Sequence, residues 1–325
     1  MELLIVDTLD AEVLQWFDAR YDVLYAPELA QDQQALRRAM KDASAMILPA
    51  TVAFNAKTLG HAPKLRGIGR IHGGAENIDE EACNRAGIEV VRSSTATAQA
   101  EAEFMIGAML SLLRRMPVQG ADGVRVGREL GACTVGLVGM PPAARAMAGM
   151  LSGFGCRMAG YEPSLHASER VWARWKVTPL SLRELIETSD VLCVQIAYFS
   201  RYQGLLGERL LSACKPDQVL VSVSHSGVFD EAALGEVLRS GRMSAAWLDS
   251  LEPGALEEGR PLHGLNNLQV TPRVGSTTRE SRLRSAWSVA RRIDELLIAA
   301  RLESTDFCAT VRDELADLSA DRAST

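Results

Sequence analysis

From its first residues the chain alternates short apolar runs with stretches whose apolar residues recur at helical spacing. "ELLIVD", "DVLYAP" and "AMILPA" read as strands, and "DAEVLQWFDARY" and "QDQQALRRAMKDAS" between them read as helices. Strands joined through helices must cross over before they pair, so this pattern dictates a mostly parallel sheet with helices packed on it. "LRGIGRI" adds a strand, followed by the glycine-rich loop His72-Gly73-Gly74. After "GIEVVRSS", a helix around "AEAEFMIGAMLSLLRR" carries the chain into a second round of the same alternation. Its strands are "VGLVG", "VLCVQI", "VLVSVS", "SAAWLD" and "LQVTP". In the helix "DEAALGEVLRSG", Asp230 is placed to cap the start and Gly241 the end. A long amphipathic helix, "TTRESRLRSAWSVARRIDELLIAARL", comes last, and the segment from about Val311 reads as a polar tail.

With 325 residues the chain is long enough for two such units. A net charge of −6 argues against a nucleic-acid partner. No apolar run reaches the roughly eighteen residues of a membrane helix, so no membrane partner is expected. "MELLIVDTLD" enters a strand with no basic region or cleavage site before it, which points to a cytoplasmic protein. The six cysteines form no CxxC pair, so neither a metal site nor a disulfide framework is expected.

The stretch "VGLVGMPPAARAM" runs a strand through a glycine into a helix, as a dinucleotide-binding turn does. In such a turn the first glycine makes the bend and the second lets the backbone approach the pyrophosphate. The third, or an alanine, allows close packing of helix on sheet. Gly139, Pro141 and Ala144 stand at those places. Pro141 and Pro142 remove two amide donors from a helix start that ought to hold an anion, although Pro142 alone suits a first helical position. Ala143 keeps its N–H. Two readings stand: a degraded cofactor seat, or a rigid connector without a ligand.

Through "IGRIHGGAENIDEEACNRAGIEVV", "GFGCRMAGYEP", "DEAALGEVL" and "WLDSLEP", the chain resembles the D-isomer-specific 2-hydroxyacid dehydrogenases from about Ile47 to Ala300. The resemblance implies an α/β protein of two doubly wound parallel-sheet domains. A flavodoxin-like substrate domain would comprise 1–95 and 276–310, a Rossmann-like NAD-binding domain 96–275, and a tail 311–325. It implies a small 2-hydroxy or 2-oxo acid as substrate, held at His72, Gly73 and Gly74. The cofactor-facing set would be Gly139, Pro142, Ala143, Glu162, Ser224, Asp249 and Gly275. Glu162, about twenty residues after the loop, suits both ribose hydroxyls and so NAD over NADP; its plainer reading is a turn carboxylate.

The family works with an arginine that grips the carboxylate, a histidine acid/base and a glutamate that tunes it. All three places differ here. Ser224-His225-Ser226-Gly227 puts His225 at the arginine place, Pro272-Arg273 puts Arg273 at the histidine place, and Gly254 stands where the glutamate belongs. Arginine does not deprotonate, so Arg273 cannot be the acid/base. The exchanged pair could run in reverse, with Arg273 holding the acid and His225 moving the proton. No neighbour is placed by spacing to tune His225, but Glu252, Glu257 and Glu258 lie near in sequence and one of them could swing in.

Further departures point the same way. Gln195-Ile196-Ala197 replaces the family's "H-x-P", and bulky Tyr198, Phe199 and Tyr202 follow. Arg92 replaces an asparagine, and Pro49-Ala50 stands in place of a phosphate-holding arginine-serine pair, so phosphoglycerate is not the expected substrate. The segment from Pro117 to Gly131 is shorter than the family's dimerisation arm, though a homodimer is still expected. Standard hydride transfer is therefore expected to be weakened or lost, with NAD bound weakly or not at all. The alternatives are an active oxidoreductase using His225 and Arg273, and a non-catalytic binding or regulatory module.

Overall fold

The structure, a computed structural model, describes all residues except 72–76, 94, 116–117 and 324–325, and the backbone alone over 303–323. It divides into two compact units, Met1–Ala96 with Arg282–Thr325, and Thr97–Ser281.

The first unit holds β1 (Leu3–Ile5), α1 (Ala11–Asp18), β2 (Val23–Tyr25), α2 (Gln33–Ala39), β3 (Ala45–Ile47), α3 (Ala56–Leu59), β4 (Gly67–Arg70), α4 (Glu80–Arg85) and β5 (Glu89–Arg92). Its sheet runs β2-β1-β3-β4-β5, and every pairing is parallel. Central strands covered on both faces have no polar side to show, and β1 and β3 are apolar and buried throughout. The two glycines of β4 have a packing reason. A Cβ on Gly67 would stand 2.6 Å from Leu296 Cδ1, and one on Gly69 would stand 2.5 Å from Val289 Cγ1. Bare backbone here lets the closing helix lie directly on the strand.

The second unit contains α5 (Ala98–Arg115), β6 (Val118–Gln119), β7 (Arg125–Val126), β8 (Thr134–Val138), α6 (Pro142–Leu151), β9 (Arg157–Tyr161), α7 (Val171–Trp175), β10 (Thr178–Pro179), α8 (Leu182–Thr188), β11 (Val191–Val194), α9 (Glu208–Leu211), β12 (Gln218–Ser222), α10 (Glu231–Arg239), β13 (Met243–Leu248) and β14 (Leu268–Val270). Seven parallel strands run β10-β9-β8-β11-β12-β13-β14. The order reverses between β8 and β11. In open sheets of this kind, ligands sit outside the carboxyl ends of the strands at such a reversal. Asp230 caps α10 by accepting from the Ala233 N–H, and Gly241 follows that helix at φ +71°.

The last helix, α11 (Arg279–Ala323), returns the chain to the first unit. Its backbone stays helical to Ala323, through the segment read from sequence as a tail. That segment has no proline or glycine from 303 to 323, so nothing local ends the helix.

Candidate functional site

The loop after β8 is built as a tight bend. Gly139 has φ +92°, and a Cβ there would stand 2.7 Å from both N and Cα of Ile196. Only glycine fits so close to the chain leaving β11. Its N–H donates to the Tyr161 carbonyl (2.7 Å). The Met140 N–H donates to Glu162 Oε2 (2.9 Å), while Glu162 Oε1 accepts from the Ser164 N–H and hydroxyl (3.1 and 2.7 Å). Pro141 is the N-cap, with φ −64° and ψ 173°, and Pro142 opens α6. Ala143, buried in the first turn, is thus the first residue of this helix start whose N–H has no protein acceptor among the described residues. Arg145 brings a positive charge to the same turn, its Nε donating to the Met140 carbonyl (2.9 Å) and its guanidinium lying over Trp175.

These residues fit a dinucleotide only in part. Positions 139–142 offer no free amide hydrogen, and the Glu162 carboxylate, expected to face the ribose, is turned onto the loop itself. What remains for an anion is the helix dipole, the Ala143 N–H and Arg145.

The turn after β14 is held by one carboxylate, at the end of β13. Asp249 is buried; its Oδ1 accepts from the Thr271 hydroxyl (2.6 Å) and the Val274 N–H (2.9 Å), and its Oδ2 from the Gly275 N–H (2.8 Å). Gly275 also packs on Phe104, which a Cβ would approach to 3.1 Å. Glu101, one turn before Phe104 on α5, lies near the same carboxylate. Burial holds its carboxyl above the usual range, the Thr97 side chain pulls the other way, and the Asp249 charge pushes it further up.

The turn fixed by Asp249 carries Arg273. This residue sits at φ +56°, and its N–H donates to the carbonyls of Asp249 (2.6 Å) and Thr271 (3.1 Å). Its side chain is exposed and anchored by Nε to the buried Ser250 hydroxyl at 3.2 Å. The terminal guanidinium nitrogens have no protein acceptor among the described residues.

His225 follows β12. Its Nδ1 accepts from the Gly227 N–H (3.1 Å), so the neutral ring carries its proton on Nε2. Nε2 faces Glu252 Oε1 at 3.1 Å, and Tyr198 stacks on the ring with centroids 4.4 Å apart. Sequence spacing supplied no partner for His225; Glu252 is that partner. Gly254 stands at φ +80°, and a Cβ there would come within 3.2 Å of Glu257 Oε1, so the Glu257 carboxylate reaches back over the glycine.

The remaining candidates are placed as follows. Ser224 is buried, with its hydroxyl donating to the Ile196 carbonyl (2.9 Å). Arg92 pairs with Glu80. His72, Gly73 and Gly74 lie outside the described residues. Ser250 is the residue that sequence reading left without a role. Among the described residues no cluster of His, Cys, Asp and Glu is suited to hold a metal, and no helix is long and apolar enough to cross a membrane.

Fold and loop together define a class: two doubly wound parallel-sheet units, the second built around a dinucleotide-type turn. Residues 106–275, more than half of the chain, match the family described as D-isomer specific 2-hydroxyacid dehydrogenase, NAD binding domain, and the chain belongs to that family. D-3-phosphoglycerate dehydrogenase from Mycobacterium bovis is 28% identical over 270 residues, covering 81% of this chain and 51% of the relative. The chain thus spans about half the length of the curated relatives it matches. Two solved structures share the fold. A glyoxylate reductase from Paecilomyes thermophila has a TM-score of 0.77 at 21% identity and covers 91% of this chain and 95% of its own. The NAD+-bound 3-phosphoglycerate dehydrogenase of Entamoeba histolytica has a TM-score of 0.70 at 19% identity and covers 90% and 94%.

Proposed function

We propose that this protein keeps its family's fold and a reduced seat for an NAD-type nucleotide, while the family's standard hydride transfer is weakened or lost. The observation that carries this reading is the absence of a free amide hydrogen from Gly139 through Pro142. A hydrogen bond to a charged group contributes about 1.5–3 kcal/mol, so each missing donor weakens phosphate binding roughly 10- to 100-fold. The Glu162 charge on the same loop adds repulsion. At the acid-binding end, arginine and histidine have exchanged places, and the loss of a placed general acid/base costs about 10²–10⁴ in rate. Melting the full chain with and without NAD and NADH tests this, because a nucleotide that binds only the folded state must raise Tm. The expected result is little or no shift at millimolar nucleotide. A large shift, together with oxidation of NADH by small 2-oxo acids, would overturn the reading.

A second reading is favoured by one contact, that of His225 with Glu252. A carboxylate against a ring nitrogen fixes the orientation of the imidazole, as an acid/base requires. Here Arg273 would hold a substrate carboxylate and His225 the mobile proton, giving an oxidoreductase for a small 2-oxo or 2-hydroxy acid. His225→Ala and Arg273→Ala should each then cost about 10² or more of any measured turnover; unchanged turnover in both removes this reading.

A further inference from the structure

A cavity of about 740 Å³ lies wholly within the second unit, between residues 250–257 and 270–273. That is within the ordinary range for small-molecule sites. Its wall carries charges of both signs, Arg273 together with Glu252 and Glu257. Opposite charges sharing a cavity would ordinarily pair, yet Arg273 makes no ion pair with either glutamate among the described residues. Glu252 meets His225 through Oε1 alone, and the Glu257 carboxylate rests over Gly254. The arginine is held back by construction. Its backbone is fixed in a left-handed conformation that is strained for a non-glycine residue and that persists only where the surroundings impose it. Its Nε is tied to Ser250, which leaves the terminal fork for something else. Leu251, Leu256 and Val270 make much of the remaining wall apolar.

A cavity with a free guanidinium fork, two carboxylates apart from it and an aliphatic wall is complementary to a zwitterion with a small apolar side chain. We infer that it binds a free 2-amino acid, with the carboxylate on Arg273 in bidentate fashion and the ammonium on Glu252 and Glu257. A 2-hydroxy acid of the same skeleton satisfies the arginine but brings a lone anion beside two carboxylates, and the like-charge contact selects against it. The inference rests on the second reading only in taking Arg273 as the carboxylate's partner; it replaces the hydroxy acid by an amino acid and requires no nucleotide.

The test uses the full chain, without nucleotide, titrated calorimetrically near neutral pH with leucine, 2-hydroxy-4-methylpentanoate and 3-methylbutylamine. Leucine, in either enantiomer, is expected to bind in the millimolar range or tighter, and the hydroxy acid and the amine each about tenfold or more weaker. Arg273→Met and Glu252→Gln should each weaken leucine by about the same factor, and Glu252→Gln should narrow its advantage over the hydroxy acid. Glu257→Gln provides the same comparison if Glu252→Gln does not fold. Hydroxy acid binding equal to that of leucine, no isotherm from the folded protein, or unaltered binding in the folded variants overturns the inference. Because the second reading is read by turnover and this inference by binding without nucleotide, failure here is distinguishable from failure of that reading.

Discussion

Asp249 and Glu101 are two carboxyl groups in one neighbourhood with opposite duties. Asp249 gives both oxygens to the chain after β14, accepting from Thr271, Val274 and Gly275. Glu101 is buried beside it and held toward the protonated form. A carboxyl whose folded value stands above its unfolded one has a definite linkage. At acid pH both states are protonated and the group is neutral to stability. As pH rises through the ordinary carboxyl value of 4.5, the unfolded state ionises first, so stability falls until the folded value is passed and the loss is complete. Glu101→Gln removes that slope while keeping a polar group for Thr97. Melting curves of parent and variant should meet near the acid end and separate toward alkaline pH, with the variant the more stable. Parallel curves across the whole range would show that Glu101 does not titrate in this way.

Among the elements, the β8–α6 connection shows how far sequence alone reaches. The bend at Gly139, the N1 role of Pro142 and the cap at Asp230 were legible because each is local chemistry, set by φ, a missing N–H or a short side chain. The Met140–Glu162 bond was not legible. It joins the end of β8 to the end of β9, which become neighbours only when the sheet forms. The same holds for His225 and Glu252, which follow β12 and β13, adjacent in the sheet but separated along the chain by α10. Glu257 over Gly254 is closer in sequence, yet it needs a backbone at φ +80° that composition does not announce. If proline is what limits the loop, replacing Pro141 by Gly and Pro142 by Ala together restores two donors. The gain should be about tenfold or more in NADH affinity, read by fluorescence titration. The loosened unfolded chain costs about 0.4–1 kcal/mol of stability for the glycine. Unchanged affinity would shift the blame to the Glu162 charge.

At the scale of the molecule the two units are unequal in how they depend on the chain's order. The second is continuous from Thr97 to Ser281 and carries its own core on both faces of its sheet. Met105, Met109, Val135 and Leu137 belong to one cluster, and Leu185, Leu192, Leu220 and Leu234 to the other. The first is discontinuous: Ala286, Val289, Ala290 and Ile293 of α11 complete the cluster that also holds Leu3, Ile5 and Ile47. Burying a large aliphatic side chain contributes about 1.5–3 kcal/mol, so removing α11 strips several such contributions from a five-stranded sheet whose net stability is of the order of 5–15 kcal/mol. A fragment of residues 97–281 should therefore melt cooperatively on its own and give a dispersed amide spectrum. A chain ending at 281 should keep that folded core while its first ninety or so residues become protease-sensitive, since β4 would present Gly67 and Gly69 to water where Leu296 and Val289 now lie. Limited proteolysis followed by mass analysis separates the outcomes: a protected 1–96 segment in the shortened chain would mean that the sheet of the first unit stands without its last helix.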